Sequence, residues 1–317
     1  MSFNFDPATT HNTCFSYDAA GNQINDAVHG YTYDAEGNVI KVDNGSTASY
    51  TYDALNRRVR VQTSASTYEY LFDPAGRRLS SWLLNGSAEG FGNEGRIWWD
   101  GGLLATRDWN GQTYFSHSDW LGTERMRTNY QGQIATTSKS LAFGDGFSQS
   151  SSDPQGATQD NNEFAGQDSD FESGTTHATF RQYAPTQGRW MSPDPYDGSY
   201  DRGNPQSFNR YTYVLNNPFA YRDPSGLFCE YGHEDSTELL DEVDYNSSSG
   251  ECASTGGVWV ADGYGYAGGS IGSTELPGGS PSVAPDKLCA AALKAANKNQ
   301  GAVSRARSSS STLSAAA

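Results

Sequence analysis

Long hydrophobic runs are missing from this chain. No stretch approaches the roughly 18 consecutive apolar residues that a membrane-crossing helix needs, so no membrane insertion is expected. Apolar residues are scarce altogether, at 35% of 317 positions, and mean hydropathy is −0.69. That is too little, too evenly spread, for a large α/β core. Runs of Ala, Leu, Glu and Lys are few, so helix is not expected to dominate. Basic residues are in deficit: 21 Lys and Arg stand against 37 Asp and Glu, a net charge of −16. This argues against nucleic acid as a partner of the whole surface and against anionic membranes. The acidity is read as solubility.

Cysteine is nearly absent. There are four, Cys14, Cys229, Cys252 and Cys289, with no Cys-x-x-Cys pair. The spacing is poor for zinc, and no metal or other cofactor is expected. Three of them follow residue 227, where a disulfide would suit an exported protein; the pairing stays open. The start, Met1 to Pro7, has neither a basic n-region nor an apolar h-region, so no signal peptide is read there. The chain opens inside a repeat pattern and is read as the end of a longer parent protein.

What is abundant is Gly (35), Tyr (19) and Phe (14). Aromatic side chains carry large burial areas, and with 12 Pro and frequent Asn they indicate a turn-rich all-β protein. Tyr17-Asp18-Ala19-Ala20-Gly21-Asn22 recurs as Tyr33-Asp34-Ala35-Glu36-Gly37-Asn38, as Tyr52-Asp53-Ala54-Leu55-Asn56-Arg57 and as Phe72-Asp73-Pro74-Ala75-Gly76-Arg77. The spacings of 16, 19 and 20 residues each fit one β-hairpin and its connection. Alternation in Tyr50/Tyr52, Val59/Val61 and Tyr68/Tyr70/Phe72 marks strands. The Asp of each unit is read as the turn former, accepting hydrogen bonds from turn amides. A single hairpin cannot bury its aromatic face, so the hairpins are expected to stand side by side in a long sheet that coils by its own twist.

These segments resemble the YD repeats of RHS and teneurin-type proteins. The resemblance implies that the sheet spirals into a hollow shell. Thr113 to Thr123 resembles the His-x-Asp-x-Leu-Gly-Ser segment of the RHS-associated core. There His117 and Asp119 are read as a turn-closing pair before a catalytic one, since no nucleophile is near in sequence. Ser148 to Asn162 is read as an exposed loop. Phe164-Ala165-Gly166-Gln167-Asp168 and Glu172-Ser173-Gly174 continue the core pattern, with Thr175 where the family usually has Leu.

From Arg181 to Leu227 the resemblance is closest. Tyr183-Ala184-Pro185-Thr186-Gln187-Gly188-Arg189-Trp190-Met191-Ser192-Pro193-Asp194-Pro195, Asn209-Arg210-Tyr211-Thr212-Tyr213-Val214-Leu215-Asn216-Asn217-Pro218 and Asp223-Pro224-Ser225-Gly226-Leu227 follow the three parts of the family's ending in order. The match covers about residues 14–227. It implies three regions: YD hairpins over 1–90, the RHS-associated core over 91–227, and a variable, loop-rich, partly disordered tail over 228–317. It also implies an intramolecular aspartyl protease that cuts the Leu227–Phe228 bond. Asp194 and Asp223 are the expected carboxylate pair, each followed by proline, with Arg189 to orient or charge-balance them. Asp197 and Asp201 are the fallback second carboxylates. On the residues alone, Asp-Pro-x-Gly is also a common turn, and the two aspartates would then only cap it.

The tail carries no metal-ligand spacing and no nucleophile–base arrangement. His233-Glu234-Asp235 is a polar cluster, Glu238 to Glu242 a solvated turn of helix, Pro285 to Asn297 a short helix, and Ser304 onward disordered. The leading expectation is the C-terminal part of a toxin-encapsulating shell, exported as part of a longer chain, that releases its own tail. The other is a non-catalytic surface or wall-associated repeat protein. Its Trp98, Trp99 and Trp109 would stack on carbohydrate or meet a cell-surface protein, though a β-core is the first home expected for them.

Overall fold

The structure is a computed structural model. It describes residues 4–84, 90–100, 102–153, 164–195, 205–219, 222, 223 and 226, and three strands beyond residue 227. Two short strands, β1 (Ser16–Tyr17) and β2 (Gln23–Asn25), pair with each other. Twelve more form one antiparallel sheet in strict chain order. They are β3 (Tyr31–Tyr33), β4 (Val39–Val42), β5 (Ala48–Tyr52), β6 (Arg58–Thr63), β7 (Thr67–Phe72) and β8 (Arg78–Leu84), then β9 (Gly90–Trp99), β10 (Gly102–Asp108), β11 (Thr113–Ser118), β12 (Glu124–Asn129), β13 (Ile134–Lys139) and β14 (Ser148–Ser151). The sheet is open, with β3 and β14 at its edges. Among the described residues the only helices are single 3₁₀ turns, as the composition required. None is long and apolar enough to cross a membrane.

Each repeat closes the same way. In Asp18, Asp34 and Asp53, Oδ1 accepts the amides two and four residues on, at 2.8–3.0 Å. Oδ2 clasps the side chain four residues on: Asn22, Asn38, Arg57 and, from Asp73, Arg77. The turn glycines Gly21, Gly37 and Gly76 have φ of 80–90°, which non-glycine residues rarely adopt. The pairing register shifts at Tyr33, Tyr52 and Phe72, a bulge beside each of those turns. Bulges increase local twist, so a bulge at every unit coils the sheet.

The repeat runs farther than the Tyr-Asp signature. Asp108, Asp119 and Asn129 close turns of the same form with Gly111, Gly122 and Gly132. Asp119 Oδ1 accepts the amides of Leu121 and Thr123. His117 bonds Thr128 Oγ1 at 2.9 Å and is exposed. Ser148 to Ser151, expected as loop, is instead the edge strand β14 paired to β13. Its polar sequence reflects an edge position that buries little, while ladder hydrogen bonds and the side chains of Gln149 and Ser151 hold it.

The terminal core forms a second, four-stranded sheet: β15 (Asp168–Asp170), β16 (Thr175–His177), β17 (Gln182–Ala184) and β18 (Arg189–Trp190). It packs on the inner face of the hairpins. Met191 and Ala184 join Tyr31, Val39, Val42, Ala48, Tyr50, Val61 and Tyr70 in one core cluster. Phe164, Tyr183, Trp190, Tyr213 and Val214 build a second. Buried ion pairs join the two sheets. Arg58 forks onto Asp170 with both contacts at 2.7 Å. Arg78 meets Asp168 at 2.8 Å, and Arg96 reaches the same Asp168 at 3.5 Å. Arg58 and Arg78 stack on Tyr50 and Tyr70, and Tyr50 donates to Glu172.

Glu94 sits in this buried layer, 2.6 Å from Arg96 Nε. Burial pushes its carboxyl up to about 7 from an ordinary 4.5, against the pull of Arg78 and Arg127. A raised folded value means that stability from this group is complete below 4.5 and is lost as pH rises through 7. Urea unfolding at a series of pH values should show the wild type losing about 3 kcal/mol relative to Glu94→Gln across that window. An unchanging difference would remove Glu94 as a titrating group.

Beyond residue 227 three short strands pair as β20 (Glu242–Asp244), β19 (Phe228–Tyr231) and β21 (Val258–Val260), in that spatial order. Glu242 thus begins a strand and not a turn of helix, since its backbone pairs with Tyr231. His233 to Asp235, the expected helix over 285–297 and the segment after Ser304 lie outside the described residues.

Candidate active site

The terminal block brings its carboxylates onto one arginine. Asp194 follows β18 and is buried; its amide donates to Arg210 O at 2.9 Å, and Arg210 Nη2 donates back to the Asp194 carbonyl. Asp223 is fully buried. Its carbonyl accepts Gln167 Nε2 at 2.6 Å and its Oδ1 accepts the Gly226 amide at 2.7 Å. The turn-capping role expected of Asp-Pro-x-Gly is therefore real, and it uses one oxygen only.

The other oxygen faces Arg181. Arg181 Nη2 lies 3.4 Å from Asp223 Oδ2 and 3.8 Å from Asp194 Oδ2. The two Oδ2 atoms are thus no farther apart than those two legs laid end to end. Arg181 Nε donates to the Gly226 carbonyl at 2.8 Å, and its guanidinium stacks on Trp190 with 4.3 Å to the ring centroid. Gly226 has φ +81, and a Cβ there would stand 3.2 Å from Arg181 Cβ. Only glycine lets the chain turn this tightly against the arginine. The guanidinium of Arg181 thus stands between two buried carboxylates, where it lowers the cost of holding negative charge in a dry interior.

Arg189, the cation expected on sequence, is directed elsewhere. Its Nη2 donates to Thr10 O at 3.0 Å and Asn209 Oδ1 at 2.7 Å, and it lies over Phe5 and Tyr211. It fastens the N-terminal segment to the block. Arg181 holds the position between the carboxylates. In sequence Arg181 is only the first residue of the block, and no local spacing marks it out. Asp197, Asp201 and Leu227 lie outside the described residues. Phe228 opens β19, one residue beyond Leu227. Trp99 and Trp109 are exposed, whereas Trp98 donates from Nε1 to Arg78 O. Among the described residues no group of His, Cys, Asp and Glu could hold a metal ion.

A coiled sheet of Asp-closed hairpins, with its terminal block folded against the inner face, defines a YD-repeat shell segment. The chain belongs to the teneurin YD-shell family, whose model matches residues 8–219. It is similar to the tRNA3(Ser)-specific nuclease WapA of Bacillus spizizenii, 30% identical over 216 residues, which are 67% of this chain and 9% of that protein. It is similar to the probable deoxyribonuclease RhsA of Dickeya dadantii, at 29% identity over 68% of this chain and 15% of the relative. The toxin subunit YenC1 of Yersinia entomophaga is 26% identical over 67% of this chain and 23% of its own length. The chain thus spans less than a quarter of these curated relatives. In fold it is similar to the crystal structure of TcdB2-TccC3, with TM-score 0.55 and 21% identity over 70% of this chain and 11% of the other. It matches that assembly without its hypervariable C-terminal region equally well, with TM-score 0.54 over 67% of this chain and 11% of the other.

Proposed function

We propose that this chain is the C-terminal part of an exported toxin shell that cuts itself after Leu227 and frees the segment beyond. One observation carries the proposal: Asp194 and Asp223 are buried on one arginine, and that arginine grips the carbonyl of Gly226, one residue before the bond. In this reading one carboxyl, protonated, donates to the Leu227 carbonyl oxygen. The other, ionised, takes a proton from a water whose oxygen attacks the carbonyl carbon. The Leu227–Phe228 C–N bond then breaks, and the nitrogen leaves with a proton as the new amino terminus. Arg181 fixes both acids and the strand end; Arg189 secures the block from the other side.

The relatives support the division of labour. Proteins named for a tRNA nuclease, a deoxyribonuclease and a toxin subunit each match about two-thirds of this chain. The shared part is then the carrier, and activity lies outside it. The likeness that persists without a hypervariable C-terminal region points the same way. A denaturing gel under reducing conditions tests the cut: a fragment beginning at Phe228 is expected from the wild type and none from Asp194→Asn or Asp223→Asn. Full-length wild type alone would sink the proposal. The exposed Trp99 and Trp109 favour the second reading, carbohydrate binding by an uncut protein, which a glycan array on the Asp194→Asn variant would detect.

A further inference from the structure

Asp194 and Asp223 are each followed by a proline, which carries no N–H. In both, the acid's own main-chain carbonyl is held by a side chain from elsewhere. Arg210 Nη2 donates to Asp194 O, and Gln167 Nε2 donates to Asp223 O at 2.6 Å across 56 positions. We infer that Gln167 is a positioning residue of the self-cleavage site: it fixes the main chain at Asp223 and so sets where the Asp223 carboxyl stands. This role rests on the cleavage reading for its consequence; the clamp itself needs only the Gln167–Asp223 bond.

The fixed end of the clamp is firmly held. Gln167 follows the single 3₁₀ turn Phe164–Gly166 and precedes β15. Its amide donates to Phe164 O at 2.9 Å, and the Ala165 amide donates to Thr123 Oγ1 at 3.0 Å. Ala165 has φ +54, a left-handed conformation that alanine keeps only where its surroundings impose it. Phe164, Ala165 and Thr123 are all buried, and they impose it here. On the other side of Gln167, Asp168 is tied to Arg78 and Arg96 of the hairpin sheet. Gln167 thus belongs to the shell and reaches the residue that supplies the second acid. Asp223 then meets a donor at each oxygen: the Gly226 amide at Oδ1, Arg181 at Oδ2 and Gln167 at the carbonyl.

Packing does not account for this residue. Gln167 is 2% exposed, and its Oε1 is buried with no hydrogen-bond donor among the described residues. An amide oxygen left that way destabilises a fold. Leucine or methionine would fill the space without that loss. What glutamine adds over either is the Nε2 donor on Asp223. Reacting groups must be placed closely for a proton to pass between acid, water and carbonyl. A carboxyl displaced by about 1 Å loses about 100-fold in rate.

The experiment uses the full chain, recovered unfolded in urea and refolded by dilution at a series of pH values. The fragment beginning at Phe228 is timed on a reducing gel, beside wild type at the same pH. Gln167→Leu should slow the cut by about 100-fold, while its urea-unfolding midpoint stays at or above that of wild type. Should this variant fail to fold, Gln167→Glu decides. A protonated carboxyl donates to Asp223 O as the amide does; an ionised one cannot, and it sets a negative charge beside Asp223. Gln167→Glu should therefore cut near the wild-type rate at about pH 5 and fall about 100-fold behind toward pH 8, with unchanged near-ultraviolet circular dichroism. A constant ratio to wild type at every pH, or a fall that follows loss of the fold, would overturn the role. So would a folded leucine variant that cuts at the wild-type rate. Wild type that cuts at no pH defeats the cleavage reading and the role with it; wild type that cuts beside unaffected variants defeats the role alone.

Discussion

Asp170→Asn should lower the unfolding free energy by about 3–5 kcal/mol. Asp170 and Arg58 are each 3% exposed, and both carboxylate oxygens are engaged by the guanidinium. Gln182 Nε2 also donates to Asp170 Oδ2, at 2.6 Å. Asparagine keeps the shape and removes the charge. It leaves the Arg58 guanidinium buried under Tyr50 with its main counter-charge gone. Desolvating an unbalanced ion costs far more than the pair contributes when intact. The same bond joins the hairpin sheet to the terminal sheet, so the loss falls on their docking. Urea denaturation measures it. A joint replacement, Arg58→Met with Asp170→Leu, should recover most of the loss, because removing both charges removes the penalty. A single variant within about 1 kcal/mol of wild type would show that the sheets are held by their apolar contacts alone.

Arg181→Lys should slow self-cleavage by about 100-fold while the chain stays folded. Lysine keeps the positive charge, but it offers a point where arginine offers a planar fork. It cannot hold the Gly226 carbonyl through one nitrogen and both carboxylates through another, as Arg181 does. Nor does it lie flat on Trp190. Arg181→Met should abolish the cut and also destabilise the chain, since it leaves two buried carboxylates facing each other. The time course of fragment appearance on a reducing gel, beside the near-ultraviolet circular dichroism of each variant, separates the two outcomes. A lysine variant that cuts at the wild-type rate would exclude Arg181 from the reading. Arg189→Lys serves as the contrast: its contacts lie on the N-terminal segment, and its effect should fall on that attachment.

The repeat was legible because its cause is local. Asp34 and its turn need only the four residues that follow, and the same is true of Asp53 and Asp73. Where the aromatic before the Asp is absent, at Asp108, Asp119 and Asn129, the turn persists but its signature fades. The strand at Ser148 to Ser151 was hidden for a related reason: an edge strand held by backbone bonds needs no apolar alternation. Asp194 and Asp223 were singled out by resemblance, and both lie within 4 Å of Arg181. The arginine was not. Arg181 stands just before β17 and Arg189 opens β18 of the same hairpin, and nothing within a few residues says which one meets Gly226.

The sequence by itself determined the all-β class, the hairpin unit and the terminal block, since turn geometry and strand alternation act over a handful of residues. Only the tertiary structure decided that Arg58 meets Asp170 across 112 positions, that Arg78 meets Asp168 across 90, and that Arg181 rather than Arg189 stands between the carboxylates. Charge pairs form where folding brings opposite charges together in a dry interior, and that meeting depends on how one sheet lies inside another.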